Sequence, residues 1–239
     1  VERSRGLGDV YKRQDENSEK DTDLPHMLPK LDTWEKIMSS LGINNNDDIL
    51  IYDNSDLKSS CRLWFSLLYF GHDEKKIHIL NGGLKKWIFE NKPITKLTTE
   101  IIKSNYVANE KENLVVSFDQ IKKNILSKSF NVIDARSLER FEGKVSEPRK
   151  GLRSGHIQNS FCLPFNQCIN QKTGEFKNLE ELRELFNQNE NIEKRLDQVF
   201  TCGSGVTAAV LAYAYKMVNN DYIPKIYDGS WSEYGKYPA

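Results

Sequence analysis

The segment from Val199 to Leu211 reads VFTCGSGVTAAVL and sets the architecture of the chain. An apolar β-type run ends at Cys202, glycines follow at 203 and 205, and a helix-forming series begins directly after them. A strand that leads through a glycine-rich turn into a helix is typical of parallel βαβ units. Backbone N–H groups and the positive end of the helix face the strand end in such a turn. The pattern therefore predicts a setting that favours the thiolate of Cys202, its nucleophilic form.

The loop after Cys202 has the residues that such a turn requires. Gly203 and Gly205 let the backbone turn sharply, so that its amides can converge on the sulfur. Thr207 is predicted to close the loop through its hydroxyl. A buried structural thiol at a strand end is the alternative to a nucleophile, because cysteine is often buried for packing alone.

The rest of the chain alternates β-type runs with helical patterns, which predicts an α/β fold with parallel sheets. The predicted strands cover residues 49–53, 77–80, 131–135, 198–202 and 224–228. The predicted helices cover residues 33–41, 59–70, 84–90, 117–126, 179–188 and 206–218. Ser117 and Gln120 form a predicted capping box, which places the start of a second domain near residue 115.

The two halves of the chain repeat one another. Residues 47–87 and 196–234 both run strand, loop, helix, strand, glycine turn and helix. Asp53 then falls opposite Cys202, and the glycine turns at Gly82 and Gly229 fall at nearly the same distance downstream. A fixed internal repeat indicates a duplicated structural unit. The sequence therefore predicts a tandem duplication with a thiol in the second copy only.

Charge and apolar patterning limit the partners. The 34 Lys and Arg side chains are balanced by 34 Asp and Glu, with no basic block, which disfavours a nucleic-acid surface. The longest apolar stretches, such as residues 63–70, fall far short of the roughly 20 residues that span a bilayer. We expect a small molecule or a protein as partner, with no nucleic acid and no membrane.

The four cysteines form neither a disulfide framework nor a C-x-x-C metal pair. Reduced thiols and a cytoplasmic location are therefore expected. Cys61 and Cys162 lie within apolar patterns and are predicted core thiols, and Cys168 lacks an activating setting. A cysteine phosphatase would carry an arginine six residues after its nucleophile to clamp the phosphate. That position is Ala208, which disfavours a phosphatase.

Four segments together resemble the 3-mercaptopyruvate sulfurtransferases of the two-domain rhodanese family. They are CGSGVT, YDGSWSEYG after it, DARSLERFEGKVSEPRKGLRSGHI before it and LPHMLP near the start. The resemblance implies two tandem rhodanese domains, each a parallel sheet with helices on both faces, the first of them catalytically silent. We expect the first domain at 15–91, a linker at 92–114 and the second domain at 115–239. Residues 1–14 match nothing in the family, so we expect a leader there and a first domain that lacks its N-terminal strand and helix.

The resemblance also implies the substrate and its contacts. Thiosulfate enzymes of this family carry basic residues after the cysteine, whereas Gly203 and Ser204 are neutral and favour 3-mercaptopyruvate. Arg140 and Arg149 are then expected to hold the substrate carboxylate, which guanidinium groups match bidentately. The backbone of Gly203, Gly205, Val206 and Thr207 is expected to stabilise sulfur anions.

Proton transfer is assigned by the same resemblance to residues of both domains. His26 and Asp15 of the first domain are expected to reach Ser204 across the cleft as a Ser–His–Asp relay. The implied reaction forms a persulfide on Cys202, releases pyruvate and passes the sulfur to a thiol acceptor such as thioredoxin. It requires no metal and no organic cofactor. Two alternatives stay open: a thiosulfate:cyanide sulfurtransferase, and a persulfide carrier without turnover.

Overall fold

The computed structural model describes residues 18–56, 58–95, 100–188, 192–193 and 195–237. The helices of four or more residues within these ranges are α1 (Leu31–Ser40), α2 (Ser60–Tyr69), α3 (Gly83–Phe89), α4 (Phe118–Ser127), α5 (Leu138–Phe141), α6 (Leu179–Asn187), α7 (Ala208–Val218) and α8 (Ser230–Tyr234). The strands are β1 (Ile49–Ile51), β2 (Ile77–Ile79), β3 (Val115–Val116), β4 (Phe130–Asp134), β5 (Ser160–Cys162), β6 (Asp197–Thr201) and β7 (Lys225–Tyr227). Short 3-10 turns cover Glu74–Lys76, Glu112–Leu114 and Phe165–Cys168.

All five predicted strands and all six predicted helices are present, with ends that differ from the prediction by no more than two residues. The capping box of α4 is also confirmed. The Ser117 hydroxyl accepts the Gln120 N–H at 3.3 Å, and the Gln120 side chain accepts the Ser117 N–H at 2.7 Å. Strands β3 and β5 were not predicted, because two or three residues are too few to show an alternating pattern.

The second half of the chain forms a five-stranded sheet in the order β3-β7-β6-β4-β5, and every neighbouring pair is parallel. Strand β6 lies at its centre, so Cys202 follows directly on the central strand. Ile133 and Phe200 point to the face covered by α7, and Val132 and Val199 point to the opposite face, toward Ile121 of α4 and Trp231 of α8. Helices thus cover both faces, as predicted, because side chains alternate along each buried strand.

The first half contains the parallel pair β1 and β2, in register from Ile49 beside Ile77. Helix α2 packs against this pair and, on its other side, against α7 of the second half. Trp64 and Tyr213 meet there edge to face, with ring centroids 5.0 Å apart. One continuous apolar core therefore joins the two halves.

Asp53 fills the position in the first half that Cys202 fills in the second. Its carboxylate accepts the N–H groups of Ser55 at 3.2 Å and Ser60 at 2.6 Å. The loop amides of the first half are therefore engaged by a side chain of the same loop, and the carboxylate offers no thiolate chemistry. The expected leader, residues 1–14, lies outside the described residues. No helix among the described residues has the length and apolar character to cross a membrane.

Candidate active site

Cys202 is the first residue after β6 and is 2% exposed. The N–H of Ser204 donates to its sulfur at 3.4 Å. The positive end of an N–H dipole therefore points at the sulfur. The sequence analysis placed this cysteine at the carboxyl end of a strand, and the structure does the same.

Ser230 fixes the shape of the loop around Cys202. Its hydroxyl accepts the N–H groups of Cys202 at 3.3 Å and Gly205 at 3.0 Å and donates to the carbonyl of Tyr227 at 2.8 Å. The Thr207 side chain makes no capping hydrogen bond to α7, and its closing of the loop stays a prediction. The Gly205 backbone was predicted to stabilise sulfur anions, but its N–H donates to the Ser230 hydroxyl and so contributes to the shape of the loop.

Helix α8 engages two carbonyls of the loop through hydrogen bonds. The Trp231 N–H donates to the Cys202 carbonyl at 2.9 Å. The backbone N–H and the hydroxyl of Ser232 both donate to the Gly203 carbonyl, at 2.9 and 2.5 Å. These two carbonyls are engaged by α8, whereas the Ser204 N–H dipole points at the Cys202 sulfur. Val206, also predicted in this loop, is buried.

Arg140 and Arg149 converge on the loop beside Gly203. A β-carbon added at Gly203 would lie 3.2 Å from the Arg140 guanidinium and 3.5 Å from that of Arg149. Glu147 accepts from Arg140 at 3.2 and 2.5 Å, which holds that guanidinium in place. Arg149 donates to the Ser204 hydroxyl at 3.3 Å. The structure therefore brings both predicted guanidinium groups to the loop that carries Cys202, and it adds Glu147, which sequence reasoning missed.

His26 reaches the same loop from the first half of the chain. Its ring Nδ1 lies 2.8 Å from the Ser204 hydroxyl oxygen, and the residue is 8% exposed. Ser204 is thus in contact with an imidazole on one side and with Arg149 on the other. Asp15, the third predicted member of the relay, lies outside the described residues.

A buried ion pair lies beneath the loop and was not predicted. The guanidinium of Arg62, on α2, meets the carboxylate of Asp228, which follows β7, at 2.6 Å. A β-carbon at Gly205 would lie 2.7 Å from Asp228 and 3.1 Å from Arg62. The two residues come from different halves, so no local pattern pairs them, although Asp228 stands in the YDGSWSEYG segment that carried part of the resemblance.

The other three cysteines differ in their burial. Cys61 and Cys168 are fully buried, and Cys162 is half-buried at the end of β5, where its thiol faces the Arg136 carbonyl at 3.7 Å. Cys162 therefore borders the core, which corrects its prediction as a core thiol. Burial raises the pKa of the Cys162 and Cys168 thiols to about 12, and it raises the pKa of Cys61 as well. These thiols stay protonated near neutral pH.

A thiol-reactivity measurement checks these shifts. With a pKa of about 12 against an ordinary 9.0, Cys162 holds about a thousandfold less thiolate at pH 8. The greater nucleophilicity of a more basic thiolate recovers part of this, so we expect Cys162 to react with an aromatic disulfide reagent at least about 30-fold more slowly than a free peptide thiol. Peptide mapping after timed quenching gives the rate at each site. All four sites should label rapidly in denaturant, and rapid labelling of native Cys162 would contradict the shift.

Fold and site together define a protein of the sulfur-transferring α/β class: a duplicated domain in which one copy presents a cysteine inside an amide-lined loop. The family model for the rhodanese-like domain matches residues 12–90 and 117–237, and the chain therefore belongs to the rhodanese family. Within the family, its relatives include the 3-mercaptopyruvate sulfurtransferases of Homo sapiens and Escherichia coli, each 34% identical. The alignments cover 92% and 89% of this chain and 73% of either relative.

Solved structures and a plant relative extend the comparison. The Tum1 protein of Saccharomyces cerevisiae superimposes with a TM-score of 0.82 at 27% identity, over 92% of this chain and 76% of the other. The E. coli 3-mercaptopyruvate sulfotransferase SseA gives 0.80 at 31% identity, over 92% and 80%. The chain spans 62% of a mitochondrial thiosulfate/3-mercaptopyruvate sulfurtransferase of Arabidopsis thaliana, at 35% identity over 92% of this chain. These comparisons confirm the two-domain fold and the family resemblance.

Proposed function

We propose that this chain transfers the sulfur of 3-mercaptopyruvate to a thiol acceptor through a persulfide on Cys202. The observation that carries the proposal is the position of Ser204. Its neutral hydroxyl lies between the His26 ring and the Arg149 guanidinium, and its amide faces the Cys202 sulfur. A proton donor, an anion site and a nucleophile thus meet around one residue.

Sulfur transfer begins with attack of the Cys202 thiolate on the substrate sulfur. The new S–S bond forms as the C–S bond breaks, and the electron pair of the C–S bond stays on carbon as the pyruvate enolate. The loop amides stabilise the sulfur anion, because dipoles fixed in advance need no reorganisation during the step. No external oxidant is needed, since the sulfur moves as an S⁰ equivalent between two thiol compounds.

The enolate must then gain a proton to become pyruvate. Ser204 is the proposed last donor to the carbon, and His26 resupplies its hydroxyl through the 2.8 Å contact. The substrate thiol loses one proton as the persulfide anion forms, and the methyl carbon gains one. The relay therefore consumes no net proton. Asp15 is the proposed group that orients the His26 ring.

Local charge supports a monoanionic substrate. Arg140 and Arg149 carry two positive charges beside the loop, and Glu147 compensates part of them. Arg136 is paired with Asp134, so the group as a whole has a net charge of about +1. A single carboxylate matches this field, whereas a dianion such as thiosulfate would be left partly uncompensated.

Transfer to the acceptor completes the cycle. A thiolate of thioredoxin or of a small thiol attacks the outer sulfur of the persulfide, and the Cys202 thiolate leaves. We also propose a cytoplasmic location, on the reduced cysteines alone. The name of one A. thaliana relative places that protein in mitochondria, so the location stays a prediction.

Donor preference and its dependence on Arg149 test the proposal. We expect pyruvate release from 3-mercaptopyruvate with a thiol acceptor to exceed thiosulfate-driven transfer at equal donor concentration. Arg149→Leu should raise KM for mercaptopyruvate about 30- to 100-fold, because one bidentate carboxylate contact is lost. Arg183→Leu, which removes an exposed arginine of α6, is the matched control and should change KM less than twofold.

The outcomes separate the remaining alternatives. Preference for thiosulfate would show that thiosulfate is the donor in place of 3-mercaptopyruvate, and it would leave the assignment of Cys202 as nucleophile unchanged. Uptake of one sulfur on Cys202 without release to any thiol would indicate a persulfide carrier. An unchanged KM in Arg149→Leu would contradict the assignment of the carboxylate site.

A further inference from the structure

We infer that the buried Arg62–Asp228 pair is a positioning device that sets the His26 ring against Ser204, and that it supports proton delivery to the enolate selectively. The inference rests on the proposed function. It assigns a role in the reaction to a first-domain residue, Arg62, that makes no contact with Cys202 in any hydrogen bond or ion pair described for it.

The two members of the pair form hydrogen bonds with the backbone at His26 and Leu28. Arg62 donates to the His26 carbonyl at 2.7 Å, while the Asp228 carboxylate accepts the Leu28 N–H at 3.0 Å. The 2.6 Å ion pair between the two side chains closes this arrangement. Both side chains are buried, 4% and 2% exposed, so little water competes for these contacts. The charge pair thereby links the His26 backbone to Asp228 of the second domain and fixes its position there.

His26 needs such a restraint because its backbone is strained. Its φ is +63°, in the left-handed region that residues with a β-carbon rarely adopt. A conformation of this kind costs on the order of 1–3 kcal/mol and persists only where the surroundings impose it. The Arg62 contact is made to the carbonyl of this same residue. Loss of the contact would release the strain by letting the segment relax, and the ring would move away from Ser204.

The pair also supports the loop from below. Asp228 and Arg62 lie so close to Gly205 that a β-carbon there would be 2.7 and 3.1 Å from them. One ion pair therefore contacts the loop that presents Ser204 and the segment that presents His26. This shared support fixes the distance between the two members of the relay.

The two donors differ in their need for the relay. Mercaptopyruvate leaves as an enolate, which must be protonated on carbon. Thiosulfate leaves as sulfite, which is a stable dianion near neutral pH and needs no proton. Disturbing His26 should therefore slow persulfide formation from mercaptopyruvate and leave persulfide formation from thiosulfate nearly unchanged. A residue with a structural role alone would slow both reactions in proportion.

Arg62→Met is the first variant to measure, in the full chain. We expect kcat for pyruvate release to fall about 100-fold, as for a reacting group displaced by about an ångström. Single-turnover sulfur loading of Cys202 from thiosulfate should stay within about threefold of wild type. Arg62→Lys should recover part of the pyruvate rate, since an ammonium can still donate to the His26 carbonyl. Lys236→Met, which breaks the exposed Lys236–Asp23 contact to the same N-terminal segment, is the matched control and should leave both rates unchanged.

A second variant separates positioning from stability. Arg62→Met alone leaves Asp228 as a buried charge without its partner, which is strongly destabilising. Arg62→Met combined with Asp228→Asn removes that charge and keeps an oxygen for the Leu28 N–H. We expect this double variant to recover thermal stability but not the pyruvate rate. Recovery of the pyruvate rate together with stability would overturn the inference, as would an equal loss with both donors.

A readout without turnover keeps this test independent of the proposed function. The chain contains four histidines, so ring ¹⁵N signals can be assigned with a His26→Gln variant. We expect the His26 Nδ1 signal to show its hydrogen bond in wild type and Lys236→Met and to lose it in Arg62→Met. Unchanged Nδ1 signals in Arg62→Met would overturn the positioning role. A wild-type protein without mercaptopyruvate turnover, but with this spectral change, would refute the proposed function and leave the positioning role supported.

Discussion

Replacing Cys202 with serine is expected to abolish turnover with both donors, by more than about 10⁴-fold, because the loop of residues 202–207 has no second cysteine to form the persulfide. A serine hydroxyl is far less ionised than a thiol and does not accept a sulfur atom to give a stable intermediate. The measurement is pyruvate release with a thiol acceptor, together with the mass of the peptide that carries residue 202 after incubation with the donor. Wild type should gain the mass of one sulfur atom on that peptide, and Cys202→Ser should gain none.

Cys162→Ser is the matched control for this substitution. The Cys162 thiol is half-buried and faces a backbone carbonyl, to which a serine hydroxyl can also donate. Turnover should therefore stay within about twofold of wild type. Pyruvate release by Cys202→Ser near the wild-type rate would contradict the assignment of Cys202 as the nucleophile. Sulfur gain at Cys162 in wild-type protein would show that another thiol carries the persulfide.

The sequence predicted those parts of the molecule that local pattern controls. Val199 and Phe200 are apolar and point to opposite faces of the central strand, and the helix formers begin directly after the glycine turn. The strand, the loop and the helix could therefore be placed from the sequence alone. The internal repeat extended this assignment to the first half of the chain, because Asp53 occupies there the position that Cys202 occupies in the second half. Both side chains accept loop amides, the carboxylate from Ser55 and Ser60 and the sulfur from Ser204.

Contacts between residues distant in sequence could not be predicted in the same way. Ser230, 28 residues after Cys202, holds the loop through its hydroxyl, which accepts the Cys202 N–H at 3.3 Å. Thr207, adjacent to the loop in sequence, was a natural choice for that task but does not cap α7. The Arg62–Asp228 pair joins two halves of the chain, and nothing in the spacing of either residue indicates its partner.

Gly205→Ala is expected to be the most disruptive small substitution in the loop. Gly205 has a φ of +78°, so an alanine there pays about 1–2 kcal/mol for a left-handed backbone. Its β-carbon would also lie 2.7 Å from the Asp228 carboxylate and 3.2 Å from the Asp228 carbonyl. These groups belong to a buried ion pair and to the backbone, so they cannot move aside easily, and overpacking adds about 1–3 kcal/mol. We expect the free energy of unfolding to fall by about 2–5 kcal/mol in total.

Gly203→Ala gives the matched comparison within the same loop. Its β-carbon would meet only the ends of two arginine side chains, at 3.2 and 3.5 Å, and its backbone is not left-handed. The free energy of unfolding should therefore change by less than about 1 kcal/mol, since contacts at these distances need only a small shift of the two side-chain ends. The methyl group would instead crowd the proposed carboxylate site and raise KM for mercaptopyruvate. Urea unfolding curves and steady-state kinetics on both variants separate the two effects. Equal destabilisation by the two substitutions would show that Gly205 is not pressed against the ion pair, because only that contact and its backbone distinguish the two positions.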